Sequence, residues 1–175
     1  MARICQLGHP VLRTIAAPVI EPIDNSVWRL VRDMHRVLLD EKGIGIAAPQ
    51  IGVSKQVFIV APNQVVNPPY TSLDTGLVVI NPTISALTDT VTHEWEGCLS
   101  IPGIRGYIPR RCHILVEYTT LNGERVSETY TDFTARIFLH EYDHLMGLVF
   151  LDRVESIKTD VITDQFYDEL MADSE

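Results

Sequence analysis

The alternation of apolar and polar positions predicts a helix first. Val27, Leu30, Val31, Met34, Val37 and Leu38 recur at three- and four-residue spacing, with cap candidates at 24–26 before them, so 27–41 is expected to be an amphipathic helix. The short apolar, β-branched runs at 56–61 and 77–80 read as strands. Two further runs, 114–120 and 125–131, flank Leu121-Asn122-Gly123-Glu124, and an Asn-Gly pair between such runs predicts a hairpin. A second helix is expected over 134–147, with Gly147 as its C-cap, and a last one over 156–171. The stretch 61–75, with three prolines, reads as a loop. A helix, several antiparallel strands and further helices argue for an α+β fold rather than a regular βαβ alternation.

Composition narrows the picture. A chain of 175 residues is expected to form a single domain over 1–175, long enough to bury about two-thirds of its unfolded surface. No apolar run approaches the roughly 20 residues needed to span a bilayer, and Pro10 and Pro18 interrupt the N-terminal stretch where a signal peptide would be apolar. The formal charge of −9 argues against nucleic acid as a direct substrate, because phosphate binding needs clustered Lys and Arg. Acidic residues gather at the end of the chain, at Asp160, Asp164, Asp168, Glu169, Asp173 and Glu175, with no basic residue among them. Three cysteines without CxxC spacing suggest free thiols in a reducing compartment, so a cytoplasmic location is expected. Cys5 and Cys112 read as small buried apolar residues.

The chemistry concentrates in His140-Glu141-Tyr142-Asp143-His144. Residues four apart share a helix face, so both imidazoles can reach one metal ion, with Glu141 beside it as a general base. Two histidines leave a hydrolytic ion one protein ligand short. One peptidase class takes a further histidine in the pattern HExxHxxGxxH. Gly147 matches the glycine, but Phe150 stands at the histidine position, which excludes that class. A glutamate from a later segment, Glu155 or Glu169, remains an open alternative. The better candidate is Cys98, in Glu96-Gly97-Cys98-Leu99-Ser100, as a thiolate presented at the end of a strand. His93, close by, reads as a surface or core histidine. A third cluster, Gly43-Ile44-Gly45-Ile46-Ala47-Ala48-Pro49-Gln50, would let a ligand approach the backbone closely, and Gln50 offers an amide donor. It lacks the endings of a phosphate loop or a dinucleotide fingerprint.

Together these segments resemble the three signature motifs of the peptide deformylases, GxGxAAxQ, EGCLS and HExDH, in the same order. The resemblance extends to Gly8-His9-Pro10-Val11-Leu12-Arg13, Ile101-Pro102-Gly103, Arg105, Pro109-Arg110 and Ala135-Arg136, and runs from about Ile4 to about Phe150. Ile46 stands where leucine is common in the family, and Leu139 where many members have glutamine.

The resemblance implies antiparallel strands packed around a central metal-binding HExxH helix, with an N-terminal and a C-terminal helix. It implies a substrate as well: the N-formyl group of nascent peptides beginning with formyl-methionine. Cys98, His140 and His144 would hold one ion, Glu141 would move the proton, and Gln50 with the Leu99 backbone N–H would stabilise the oxyanion. Gly43, Ile44, Gly45, Glu96, Arg105, Phe133 and Ile137 are expected around the substrate, with Glu96 paired to Arg110. Softness alone suggests zinc for this donor set. The family resemblance implies Fe(II), with Zn(II), Ni(II) or Co(II) as substitutes. In some relatives a basic terminal helix docks on ribosomal RNA; the acidic end here implies weak or differently placed ribosome contact. No membrane partner is expected. Two rivals share the motif: a zinc peptidase, and a metal-binding or ribosome-associated protein without activity, whose expected mark would be loss of Glu141 or Gln50.

Overall fold

The computed structural model describes residues 3–20, 25–61 and 76–173. Helix α1 (Asn25–Asp40) buries Val27, Val31, Met34, Val37 and Leu38, the stripe that the spacing predicts. Asp24, part of the expected cap, and nearly all of the expected loop lie outside the described residues. Strands β1 (Gly45–Ala47), β2 (Val57–Val60) and β3 (Leu77–Ala86) come next along the chain. All four residues of β2 are buried because the strand has a core on each face. Val57 and Ile59 join Val31, Met34, Leu38, Ile46 and Ile80 on the α1 side. Phe58 and Val60 face the opposite core, with Val79, Ile114, Val116, Ala135 and Phe138.

The chain then builds a hairpin that the apolar pattern does not predict. Strand β4 (Val91–Cys98) pairs antiparallel with β5 (Ile101–Arg111). Most of β4 is exposed, and its buried side chain is Glu96, so no apolar alternation marks it. Strand β5 contains Pro102, Gly103, Gly106 and Pro109, residues that argue against a strand interior. They are accommodated because only Ile104, Arg105 and Gly106 of β5 pair on the far side, with strand β8 (Val161–Thr163).

Strands β6 (His113–Thr119) and β7 (Arg125–Thr131) form the expected hairpin, with Gly123 at φ +85° in its turn. The first sheet runs β1-β2-β3-β6-β7 and the second β4-β5-β8, all pairs within them being antiparallel. Helix α2 (Asp132–Leu145) contacts β1, β2, β6 and β7 of the first sheet and β5 of the second. Gly147, two residues past its end, takes φ +74° as the C-cap reading requires.

The expected helix over 156–171 is corrected. Ser156 N–H donates to Asp160 Oδ2 at 2.8 Å and Asp160 N–H to the Ser156 carbonyl at 2.8 Å, closing a turn. Strand β8 comes next, and helix α3 (Asp164–Ala172) starts only there, its first turn capped by Thr163 Oγ1, which accepts from Phe166 N–H. The architecture is a mixed α/β one, with antiparallel sheets and three helices among the described residues. None of those helices is long and apolar enough to cross a membrane.

Candidate metal centre

Helix α2 has two working faces. Ala135, Phe138 and Leu145 pack into the first sheet, with the Phe138 ring edge-on to Phe58 and stacked on Tyr130. The helical spacing sends His140 and His144 the other way, toward β4 and β5, with ring centroids 5.2 Å apart. Cys98 reaches them from the end of β4. A register shift between Glu96 and Cys98 bends that strand before the Leu99-Ser100 turn. One donor atom from each of Cys98, His140 and His144 lies within 4.8 Å of the others, and Cys98 Sγ is 3.3 Å from His144 Nε2. Two tetrahedral ligands of one ion, at metal bonds of about 2.3 and 2.0 Å, stand about 3.5 Å apart, so the spacing and the soft-plus-imidazole donor set fit a divalent metal.

Buried charge orients these donors. His140 Nδ1 donates to Glu96 Oε2 at 3.0 Å, which leaves its Nε2 lone pair directed inward. Arg110 grips Glu96 with both Nε and a terminal nitrogen at 2.9 Å, and Arg136 adds a contact at 2.7 Å. Arg110 also reaches Asp143 at 2.6 Å, and Arg153 closes on the same carboxylate at 2.7 Å. Burial alone would raise Glu96, but its bonds to Arg110 and His140 hold it well below the usual carboxylate range. Burial likewise opposes the charge on His140, yet its contacts with Cys98 and Glu96 raise its pKa well above the ordinary histidine value, so an ion held at Nε2 would displace that proton. His144, fully buried, is pushed down and stays neutral, as a metal ligand must.

The pairing of Glu96 with Arg110 is as expected, but Glu96 uses both carboxylate oxygens on Arg110, Arg136 and His140. It lines the cleft and supports His140 from that wall. Arg136 and Asp143 fall within the quoted motifs without an expected role, and the structure pairs both with buried charges. Each lies three or four residues from His140, on its helix face, and a charge on a buried face demands a partner. Glu155 and Glu169 stand apart from the site: Glu155 is within 3.3 Å of His93 at the surface, and Glu169 accepts from Gln165. Phe150 is buried beside the His140 ring, with centroids 6.4 Å apart.

Glu141 is 3 % exposed, its Oε2 has no hydrogen-bond partner, and burial pushes its pKa up to about 7. Gly45 makes room for it, since a Cβ there would collide with Glu141 Oε1. Gln50 is 1 % exposed, and its orientation is fixed: Oε1 accepts from Ala47 N–H at 2.8 Å. Its amide group therefore faces Ser100 Oγ at 3.2 Å and Cys98 Sγ at 3.5 Å. These groups border an open cleft of about 560 Å³ lined also by Gly43, Ile44, Gly45, Glu96, Leu99, Arg105, Phe133, Ile137 and His140. Every residue expected around the substrate is on this wall. Trp95, Asp164 and Tyr167 line it too, and the last two come from α3.

A sequence profile of the polypeptide deformylase family matches residues 1–160. Peptide deformylase 2 of a Nostoc species is 44 % identical over 168 residues, covering 96 % of this chain and 93 % of that one. Among solved structures, the peptide deformylase of Thermotoga maritima superposes with a TM-score of 0.79 at 36 % identity, over 89 % of this chain and 99 % of that one. A class I type b peptide deformylase from Acinetobacter baumannii, solved with Met-Ala-Ser bound, gives 0.78 at 37 % identity over 88 % and 100 %.

Proposed function

The chain belongs to the polypeptide deformylase family, and on that footing we propose that it is a metal-dependent amide hydrolase that releases formate from N-terminal formyl-methionine. The family acts on N-formylated nascent peptides. The observation that carries the reading is Glu141: a buried carboxylate with an open oxygen, beside three converging metal donors, at the wall of the cleft. The Met-Ala-Ser bound to the Acinetobacter relative supports a cleft that takes a peptide beginning with methionine.

Cys98, His140 and His144 would hold the ion, which supplies Lewis acidity, acidifying a water and polarising the formyl oxygen. Glu141 accepts the proton of the attacking water, and a carboxyl poised near neutrality suits both that step and the later return. The water oxygen bonds to the formyl carbon, and the carbonyl becomes a tetrahedral oxyanion. The Gln50 amide, held donor-first toward Cys98, and the Leu99 backbone N–H donate to that oxygen, one such donor contributing about 3–4 kcal/mol. Glu141 then protonates the amine as the C–N bond breaks, freeing formate and the peptide N-terminus. Ile44, Phe133 and Ile137 offer the methionine side chain an apolar wall, with Gly43 and Gly45 letting the peptide lie close to the backbone.

We assign one Fe(II) per chain as the working ion, with Zn(II), Ni(II) or Co(II) as substitutes. Residues 1–175 act as one catalytic domain in the cytoplasm, in keeping with free Cys5, Cys98 and Cys112. The acidic C-terminal segment suits weak or differently placed ribosome contact. The deciding assay offers formyl-Met-Ala-Ser to protein purified without oxygen and follows formate alongside internal peptide cleavage, with metal analysis on the same sample. Formate release with iron at about one per chain is expected. Cleavage within the peptide would replace this reading with a peptidase, and equal turnover of the iron and zinc forms would remove the iron assignment.

A further inference from the structure

The cleft wall beyond Cys98 contains a guanidinium that the proposed chemistry leaves without a task. Arg105 sits on β5 opposite Ile162 of β8, and its terminal nitrogen hangs over Gly97, where a Cβ would lie 3.6 Å away. The other two arginine and lysine side chains on the cleft differ from it. Arg136 is bound to Glu96, and Lys42 stands next to Glu41 at the end of the α1 segment. Arg105 instead meets helix α3. Asp164 Oδ1 lies 2.8 Å from its Nε, an ion-pair contact in which the N–H is not aimed at the oxygen, so Nε has no hydrogen-bond partner. The Tyr167 ring lies under the guanidinium, 4.2 Å from its carbon, and Trp95 braces that ring edge-on at 6.4 Å.

We infer that Asp164 and Tyr167 set the charge selectivity of this wall by holding and neutralising Arg105. This rests on the deformylase reading, and the part of the substrate it concerns is the side chains after the first methionine. An arginine fixed flat on an aromatic ring keeps its donors pointed one way, and an unopposed one would favour peptides with acidic side chains. The single carboxylate of Asp164 cancels that field at close range, so a chain with this pair processes acidic and basic peptides alike. This suits an enzyme whose substrates share a first residue and differ after it. The family profile ends at residue 160, so Asp164 and Tyr167 both come from the segment beyond the matched region.

The experiment compares formate release from three formyl-methionyl peptides carrying Glu, Gln or Lys at the second and third positions. The unmodified protein should give closely similar kcat/KM values. Asp164→Asn should raise the acidic-to-basic ratio about three- to fivefold, the size expected of one exposed ion pair, through KM rather than kcat. Added salt should shrink the ratio toward one. Arg105→Gln should reverse the ratio toward the basic peptide, because Asp164 is then unopposed, and the double variant should return it to about one. An Asp164→Asn effect equal on all three peptides, or an Arg105→Gln variant that keeps the ratio of the unmodified protein, overturns the inference while formate release upholds the reading beneath it. An unmodified protein that releases no formate from any of the three removes both.

Discussion

The two faces of α2 rest on opposite kinds of contact. Toward the first sheet the helix offers Ala135, Phe138 and Leu145 to apolar partners, and no single atom decides the fit. Toward β4 and β5 it offers Arg136, His140, Asp143 and His144, nearly all buried, to partners that must match one by one. An apolar contact weakens in proportion to what is removed, whereas a buried ion left without its partner keeps its full desolvation penalty. The helix thus has a forgiving side that holds it in the molecule and an exacting side that aims its histidines.

The contrast can be broken by substitution. Glu141→Gln touches neither set of contacts, so the urea midpoint should stay in place while formate release falls about 10²- to 10⁴-fold. Activity within about tenfold of the parent would remove Glu141 as the proton carrier. Glu96→Ala strands Arg110, Arg136 and His140 together and should cost about 3–5 kcal/mol in urea unfolding. On the apolar side, Ile114→Val should cost only about 0.5–1.5 kcal/mol, though Ile114 is 1 % exposed. Equal losses for Glu96→Ala and Ile114→Val would erase the distinction between the faces. Arg111→Gln, which breaks an exposed pair with Asp89, should leave the midpoint where it was.

The same contrast explains which elements are legible in the residues alone. Helix α1, strand β2 and the β6–β7 hairpin are legible because each buries apolar side chains at a regular period or turns on Asn-Gly. The β4–β5 hairpin is not, since its buried side chains include Glu96 and Arg110, and charges carry no periodic signal. The segment before α3 has helical composition, yet the Asp160 side chain satisfies Ser156 locally and the chain turns instead. At the candidate site, the convergence of Cys98 on the histidine pair is legible from ligand chemistry. The roles of Arg136 and Asp143 are not, because an isolated charge on a helix reads as solvated until its partner strand is known. The Arg105–Asp164 contact joins distant segments, and Asp164 belongs to no motif.

Gly45 bears on the descent of such chains. A methyl group there would collide with the far end of the Glu141 side chain, which can swing aside without disturbing the backbone. Every glycine codon lies one base from an alanine codon. One single-base path from this protein to a folded, metal-binding but inactive descendant therefore leaves all three sulfur and imidazole donors, and Glu141 itself, untouched. Among gene copies that preserve HExDH and EGCLS, the residue at position 45 is then a marker of which copy still works.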